Sequence, residues 1–263
     1  MNKIDVSVIL PTINEEENLK ILIPDLVDLL SSKIEVDYEI IVVDDGSTDN
    51  TIEFLTDINK KNNRVKIISR NSEPSLPLSI YEGISASKSE YVLWMDADGS
   101  MPVYDVRRLL DAQLKNKNAV IIGSRFVEGG GYKGTGTGLN KSLSKTIKNI
   151  YQSEDSLLAV FLSRIFNTFL VFLLRSEVKD ITSGFIIGKK EYFKKDIFEE
   201  ANYGDYFIFL VLSLMRRNIE FQEIGYICLT RFAGYSKTSN SIVDLFKKGL
   251  PYIKVAIISR RKI

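Results

Sequence analysis

The sequence predicts an α/β fold, a mostly parallel central sheet flanked by helices. Three observations predict it. Short apolar runs alternate with helix-forming segments from Val6 to Gly123. Strands separated by helices pair in parallel through right-handed crossovers. Two of the runs end in paired acids, Asp44-Asp45 after Glu39–Val43 and Asp96-Ala97-Asp98 after Tyr91–Trp94. Acids there stand at the carboxyl edge of the sheet, where open α/β folds bind ligands. Finally, 263 residues fit one large domain, or one domain with an extension.

The elements follow in order. Val6–Pro11 reads as a buried strand. Asn14 is a candidate N-cap for a helix running toward Ser31, and Glu15, Glu16 and Glu17 suit its positive end. Ile40–Val43 is a second strand and Thr48 to about Lys60 a second helix. Val65–Ser69 and Leu78–Ser87 repeat the unit, as do Tyr91–Met95 and Val103–Lys115, and Ala119–Gly123 is a fifth strand. After Arg125 the pattern breaks. Residues 128–156 carry Gly129-Gly130-Gly131, Gly134, Gly136 and Gly138 and then a polar, lysine-bearing stretch. This reads as a mobile loop of one domain, not a linker between two cores.

Leu157–Leu174 is the most apolar stretch. Its length approaches the ~20 residues that span a bilayer core. Arg164 and Asn167 near its middle argue against spanning, so a buried or membrane-facing helix is expected. A strand at Ile186–Gly188, a helix at Asp205–Arg217 and a strand within Phe221–Thr230 complete a domain placed at 1–237. The remaining 238–263 carry Lys247, Lys248, Lys254, Arg260, Arg261 and Lys262 among apolar residues, with Pro251 expected to kink them. A basic amphipathic helix suits an anionic membrane surface, and equally a surface helix packed on its own domain.

Composition removes several chemistries. A net charge of +1 creates no global field for nucleic acid. The one cysteine, Cys228, forms no intrachain disulfide or thiolate metal site and reads as a small core residue. With no histidine, Ser-His-Asp and Cys-His mechanisms and histidine-ligated zinc are excluded. No Gly-x-Gly-x-x-Gly follows the first strand, which argues against a dinucleotide dehydrogenase. The first residues do not form a signal peptide pattern, because the run Val6–Leu10 is short and ends at Pro11.

What remains is carboxylate chemistry. Asp96 and Asp98 lie one residue apart and repel each other unless a cation neutralises them. Asp and Gly are also frequent in turns and caps, so each acidic pair alone reads as a turn. Two pairs in order, after matching βα units, point to a nucleotide-sugar site with a divalent cation on the diphosphate.

Seven motifs in order carry a resemblance: Val8–Glu16, Ile41–Asp49, Met95–Ser100, Gly123-Ser124-Arg125, Gly129-Gly130, Asp180–Phe185 and Arg231–Lys237. Together they resemble the family 2 inverting glycosyltransferases of GT-A fold, whose central sheet is Rossmann-like. The polyprenyl-phosphate (dolichol-phosphate) mannose and glucose synthases are the nearest in pattern, mainly through Thr182–Phe185 and Arg231–Lys237. The resemblance implies transfer of a hexose from GDP-mannose or UDP-glucose to a polyprenyl phosphate. It places Pro11, Thr12, Asn14 and Glu15 against the nucleotide, Asp44 and Asp45 at the base or ribose, and Ser124 among the donor contacts. Asp96, Asp98 and Ser100 become the Mg²⁺ or Mn²⁺ site. Arg125 meets the acceptor phosphate, while Arg231, Ser236 and Lys237 close over the phosphates. A phosphate acceptor is already ionised near neutral pH, so no strong base is required. The implied location is cytoplasmic, peripheral on the inner face of a membrane, with Leu157–Leu174 and the tail docked to lipid.

The chain departs from that pattern in three places. Glu73–Leu78 replaces a Gly-rich signature, with Gly83 later. The stretch from Tyr132 to Asp155 is long, and Ala159 stands where a second phosphate-binding arginine is usual. Arg164, Lys141, Lys145 and Lys148 are the basic residues near enough in sequence to replace it. The rival expectation is a family 2 enzyme that glycosylates a hydroxyl of a glycan or glycolipid in cell-surface polysaccharide synthesis. That reaction needs a carboxylate base, for which Asp180 and Asp205 are the candidates.

Overall fold

The computed structural model describes residues 4–32, 36–133, 157–233 and Tyr252. Four βα units open the chain: β1 (Ile4–Thr12), α1 (Glu16–Ser32), β2 (Val36–Asp44), α2 (Thr51–Lys61), β3 (Val65–Ser69), α3 (Leu76–Ala86), β4 (Tyr91–Trp94) and α4 (Val103–Lys115). Next come β5 (Val120–Ser124), β6 (Gly131–Tyr132) and α5 (Leu157–Leu174). The chain continues with β7 (Ile186–Lys189), α6 (Lys195–Glu199), α7 (Tyr206–Arg216), β8 (Phe221–Gly225) and β9 (Ile227–Cys228). Seven strands form one sheet in the order β3-β2-β1-β4-β7-β5-β8, and β6 and β9 form a separate parallel pair.

The strands read as continuous apolar runs because both faces of the sheet are covered. Val6, Val8 and Leu10 of β1 point to a core with Leu19, Leu22, Leu26 and Leu30 of α1 and Val106, Leu109 and Leu110 of α4. The spacing of those helical residues is the i, i+3, i+4 stripe of a helix lying on a sheet. Ile9 points the other way, with Ile41, Val43 and Trp94, to a core built from α3, α5, α6 and α7.

Parallel pairing holds for β3-β2-β1-β4 and for β5 with β8. β7 departs from the βαβ expectation and runs antiparallel between β4 and β5. Its first residue, Ile186, lies across from Trp94 and from Ile122. The reversed direction therefore delivers Asp180–Phe185, which precede it, to the carboxyl edge of the sheet.

α5 forms one helix, and among the described residues no helix is long and apolar enough to cross a membrane. Asn167 is buried and clamps the segment after the helix, donating to Lys179 O at 2.5 Å and accepting from Ile181 N at 3.1 Å. Arg164 is exposed, beside Ile165, Thr168, Phe169 and Phe172. Cys228 is partly buried against the first core. Lys141, Lys145, Lys148 and most of the expected loop and tail lie outside the described residues.

Candidate active site

The turn after β1 and the loop after β2 are tied together, and this sets one side of the site. Asn14 has φ 53°, donates its N–H to Ser47 Oγ at 2.8 Å and accepts from Thr48 N at 2.7 Å. It therefore organises the β2–α2 loop and does not cap α1. The first N–H groups of that helix go instead to Thr51 Oγ1 (3.2 Å, from Glu15) and Asp49 Oδ2 (3.4 Å, from Glu16). Asp44 accepts from Gly46 N and Ser47 N, both at 3.1 Å, and from Ser47 Oγ. Its carboxylate is a turn former, and it is not among the residues lining the cleft described next.

A cleft of about 610 Å³ opens at the carboxyl edge. Pro11, Thr12, Ile13 and Glu15 line it from the β1 turn, and Asp45 from the end of β2. Pro74, Ser75, Leu76 and Ser79 line it at the start of α3, and Asp96, Ala97 and Asp98 after β4. Asn202, Tyr203, Asp205, Arg231 and Tyr252 complete it. Sequence reasoning missed Pro74–Ser79 as a wall, because the segment lacks the expected glycines. Buried Asp45 is the reason that it folds there: it accepts from Ser75 N at 2.6 Å and pairs with Arg70. Arg70 also binds Glu82 at 2.8 Å and Ser72 Oγ at 2.8 Å.

Asp96 and Asp98 sit at the middle strand of this edge. Burial, and then the charge of Asp98, pushes the Asp96 carboxyl up to about 7; Arg231 and Arg125 oppose the shift. The turn is closed by Ser100 N on Asp98 Oδ1 at 2.9 Å. The chain after β9 straps it: Leu229 N donates to Ser100 O at 2.8 Å and Phe232 N to Asp98 O at 3.1 Å. Gly99 has φ +79°, and a Cβ there would overlap the Phe232 ring. The strap carries Arg231, whose Nη2 lies 3.0 Å from Asp98 Oδ2 and whose Nη1 lies 3.5 Å from Glu15 Oε1. Asn18 holds the end of the strap, accepting from Ala233 N at 2.8 Å and donating to Ala233 O at 3.3 Å. Its amide also donates to Glu15 Oε2 at 2.5 Å. Asn18 is a site residue that only the tertiary structure reveals.

The donor set fits a divalent cation bound together with a diphosphate. Among the described residues the lining holds five carboxylates, of Glu15, Asp45, Asp96, Asp98 and Asp205, against one guanidinium, of Arg231, and of the five only Asp45 has a further arginine, Arg70, as its partner. A diphosphate is repelled by that field unless a cation enters with it. Among the described residues no three acidic, histidine or cysteine groups cluster as a complete cage. Two carboxylates plus phosphate oxygens are the usual holders of Mg²⁺. Asp96 and Asp98 would hold the ion, which when bound offsets charge on the leaving diphosphate as a Lewis acid. Ser100 is anchored through its backbone and is not among the lining residues.

Arg125 and Ser124 stand apart from the cleft lining. Ser124 is fully buried, and its Oγ accepts from Phe126 N at 3.3 Å. The Arg125 guanidinium is clamped by buried Asp180, Nε to Oδ2 and Nη2 to Oδ1, both at 2.8 Å. Nη2 also reaches Thr182 O at 3.0 Å and Thr182 Oγ1 at 2.9 Å, and the group stacks near Phe126 and Tyr132. A phosphate would reach it only through Nη1 or by displacing Asp180. Ser236 and Lys237 lie outside the described residues.

Comparison with known proteins places this geometry. The description "Glycosyl transferase family 2" matches residues 7–197. A dolichol-phosphate mannosyltransferase of Pyrococcus furiosus is 38% identical over 125 residues, 48% of this chain and 34% of that protein. A dolichyl-phosphate beta-glucosyltransferase of Saccharomyces cerevisiae is 32% identical over 138 residues, 47% of this chain and 41% of that one. The match thus spans well under half the length of either relative. Among solved structures, glucosyl-3-phosphoglycerate synthase of Mycobacterium tuberculosis with Mn²⁺, UDP and glucosyl-3-phosphoglycerate covers 97% of this chain and 80% of its own. The TM-score is 0.64 at 17% identity, a likeness of fold. The same synthase with Mg²⁺ and UDP gives 0.63 at 17% identity, over 97% of this chain and 79% of its own. With the family matched along most of its length and the GT-A architecture shared, the chain belongs to glycosyl transferase family 2.

Proposed function

We propose that this glycosyltransferase moves a hexose from a nucleotide sugar, GDP-mannose or UDP-glucose, to a polyprenyl phosphate, with inversion and with Mg²⁺ or Mn²⁺. The observation that carries the reading is the meeting of Asp96, Asp98, Glu15 and Arg231 in one cleft at the carboxyl edge. Asp96 and Asp98 suit the cation of a donor diphosphate, and Arg231 suits its oxygens once freed from Asp98. The names of the two curated relatives support a dolichyl phosphate acceptor. An ionised acceptor phosphate attacks the anomeric carbon on the face opposite the diphosphate and needs no base. We place the enzyme at the cytoplasmic face of a membrane, with residues 238–263 as its basic contact. Truncation after Asn240 then weakens sedimentation with anionic liposomes; unchanged sedimentation removes that contact.

The decisive experiment transfers radiolabel from each donor to dolichyl phosphate with Mn²⁺ or Mg²⁺, beside an Asp98→Ala control. Label in the lipid phase from one donor, lost in the control, is the expected result. Metal-dependent nucleotide release without lipid label would refute the acceptor.

One observation favours the hydroxyl-acceptor reading. Asp205 lines the cleft, and its Oδ2 is buried without a hydrogen-bond partner among the described residues. The other candidate base, Asp180, is occupied by Arg125.

A further inference from the structure

Part of the cleft wall is left unused by the diphosphate and its cation. Asp45, Pro11 and Thr12 line the cleft beside β2 and β1, and the carboxylates stand at β4. The loop Asn202–Asp205 lies over β4, because Trp94 Nε1 donates to Tyr206 Oη at 3.0 Å. A donor whose nucleoside lies toward β2 and whose diphosphate lies on Asp96 and Asp98 therefore carries its sugar toward this loop.

Two groups there lack a task. Asp205 is 1% exposed; its Oδ1 accepts from Asn202 N at 3.1 Å and from Tyr203 N at 2.7 Å, while Oδ2 accepts nothing among the described residues. A buried acceptor without a donor is costly, and a ligand hydroxyl satisfies it. The second is Tyr252, which comes from the C-terminal segment. Its ring stands edge-on to Phe166 of α5, with centroids 6.0 Å apart. Its phenol oxygen lies against Gly204, where a Cβ would overlap it. Burial, and then the charge of Asp205, raises the phenol's pKa, so it stays a hydrogen-bond donor at neutral pH.

We propose that Tyr252, with Asp205, faces the hexose of the donor and selects it, so that this one C-terminal residue forms part of the donor cleft. This rests on the nucleotide-sugar reading above. A phenol that donates and a carboxylate that accepts form a matched pair for sugar hydroxyls. A nucleoside diphosphate placed on Asp45, Asp96 and Asp98 needs neither group.

Calorimetric titration with Mn²⁺ and no lipid tests it, using GDP, GDP-mannose, UDP and UDP-glucose on wild type, Tyr252→Phe, Tyr252→Ala and Gly204→Ala. The expected result is a nucleoside diphosphate Kd within about twofold of wild type throughout. The Kd of the preferred nucleotide sugar rises about tenfold in Tyr252→Ala and roughly threefold in Tyr252→Phe, the size of one or two lost hydrogen bonds. Gly204→Ala, which displaces the phenol without removing it, follows Tyr252→Ala. Equal losses for nucleotide and nucleotide sugar would overturn the proposal, because the ring would then only prop the cleft. Unchanged affinity for both would overturn it as well. Tyr252→Phe keeps the ring and its packing, so the measurement survives if Tyr252→Ala folds poorly. Absence of any metal-dependent nucleotide binding in wild type would instead overturn the donor reading itself, and this inference with it.

Discussion

Replacing Arg125 by Ala separates two roles for one residue. Its resemblance to an acceptor-phosphate arginine predicts loss of transfer with a stable fold. The structure predicts loss of the fold's stability. Arg125 gives Asp180 two hydrogen bonds of 2.8 Å, and Asp180 is 0% exposed while the arginine side chain is 14% exposed. Removing one partner of a buried pair strands the other charge and costs about 3–5 kcal/mol. Asp180 would keep Arg125 N at 2.9 Å and Thr182 N at 3.3 Å, which favours the low end. About 3 kcal/mol in a domain of this size lowers Tm by roughly 6–12 °C. Thermal unfolding of Arg125→Ala, Asp180→Asn and the double variant measures it. The double variant should recover most of the loss, because no buried charge is then left unpaired. A native Tm in Arg125→Ala, together with lost transfer to a phosphate acceptor, would refute the clamp.

Further outcomes follow from the same geometry. The folded pKa of Asp96, pushed up to about 7, lies above its ordinary value, so ionising it opposes folding; that penalty grows as pH rises from about 4 to about 7 and is constant above. Mn²⁺ with GDP or UDP should therefore raise Tm more at pH 8 than at pH 5, and an equal shift at both would contradict the assignment. Asp98→Asn would remove a carboxylate from the proposed cation site and the charged partner of Arg231, so the transfer rate should fall by at least about a hundredfold. Gly99→Ala places a Cβ at φ +79° and against Phe232, at a cost of about 1–3 kcal/mol. Circular dichroism melts would show the loss, and metal-dependent nucleotide affinity should drop with it, since the same turn holds Asp98.

The regular half of the molecule was legible because its signals are local. Val65–Ser69 and Val103–Lys115 match the expected bounds, and the other early elements differ by a few residues at their ends. The carboxylate edge was legible too, since a strand ending in Asp96-x-Asp98 places both acids by backbone direction alone. The rest depends on contacts distant in sequence. Asn14 looked like a cap for the helix that follows it, yet its oxygen serves Thr48 N in the loop after β2. Arg125 looked like a ligand-binding arginine, and nothing near it in sequence announces that Asp180 neutralises it. The direction of β7 could not be read either, because a short apolar run such as Ile186–Gly188 has the same pattern in either orientation.

The position of β7 also orders how the chain can assemble. β3, β2, β1 and β4 pair only among themselves until that strand arrives, and all four lie within the first 94 residues. β5 has no such neighbours: its partners are β7 and β8, both made after α5. On the ribosome the N-terminal half can close while β5 and the exposed edge of β4 wait for residues still to be translated. Long-range pairing of this kind is slow and leaves strand edges open to wrong partners. A holding chaperone should therefore bind nascent chains that end between β5 and β8, and release them once residue 225 has emerged.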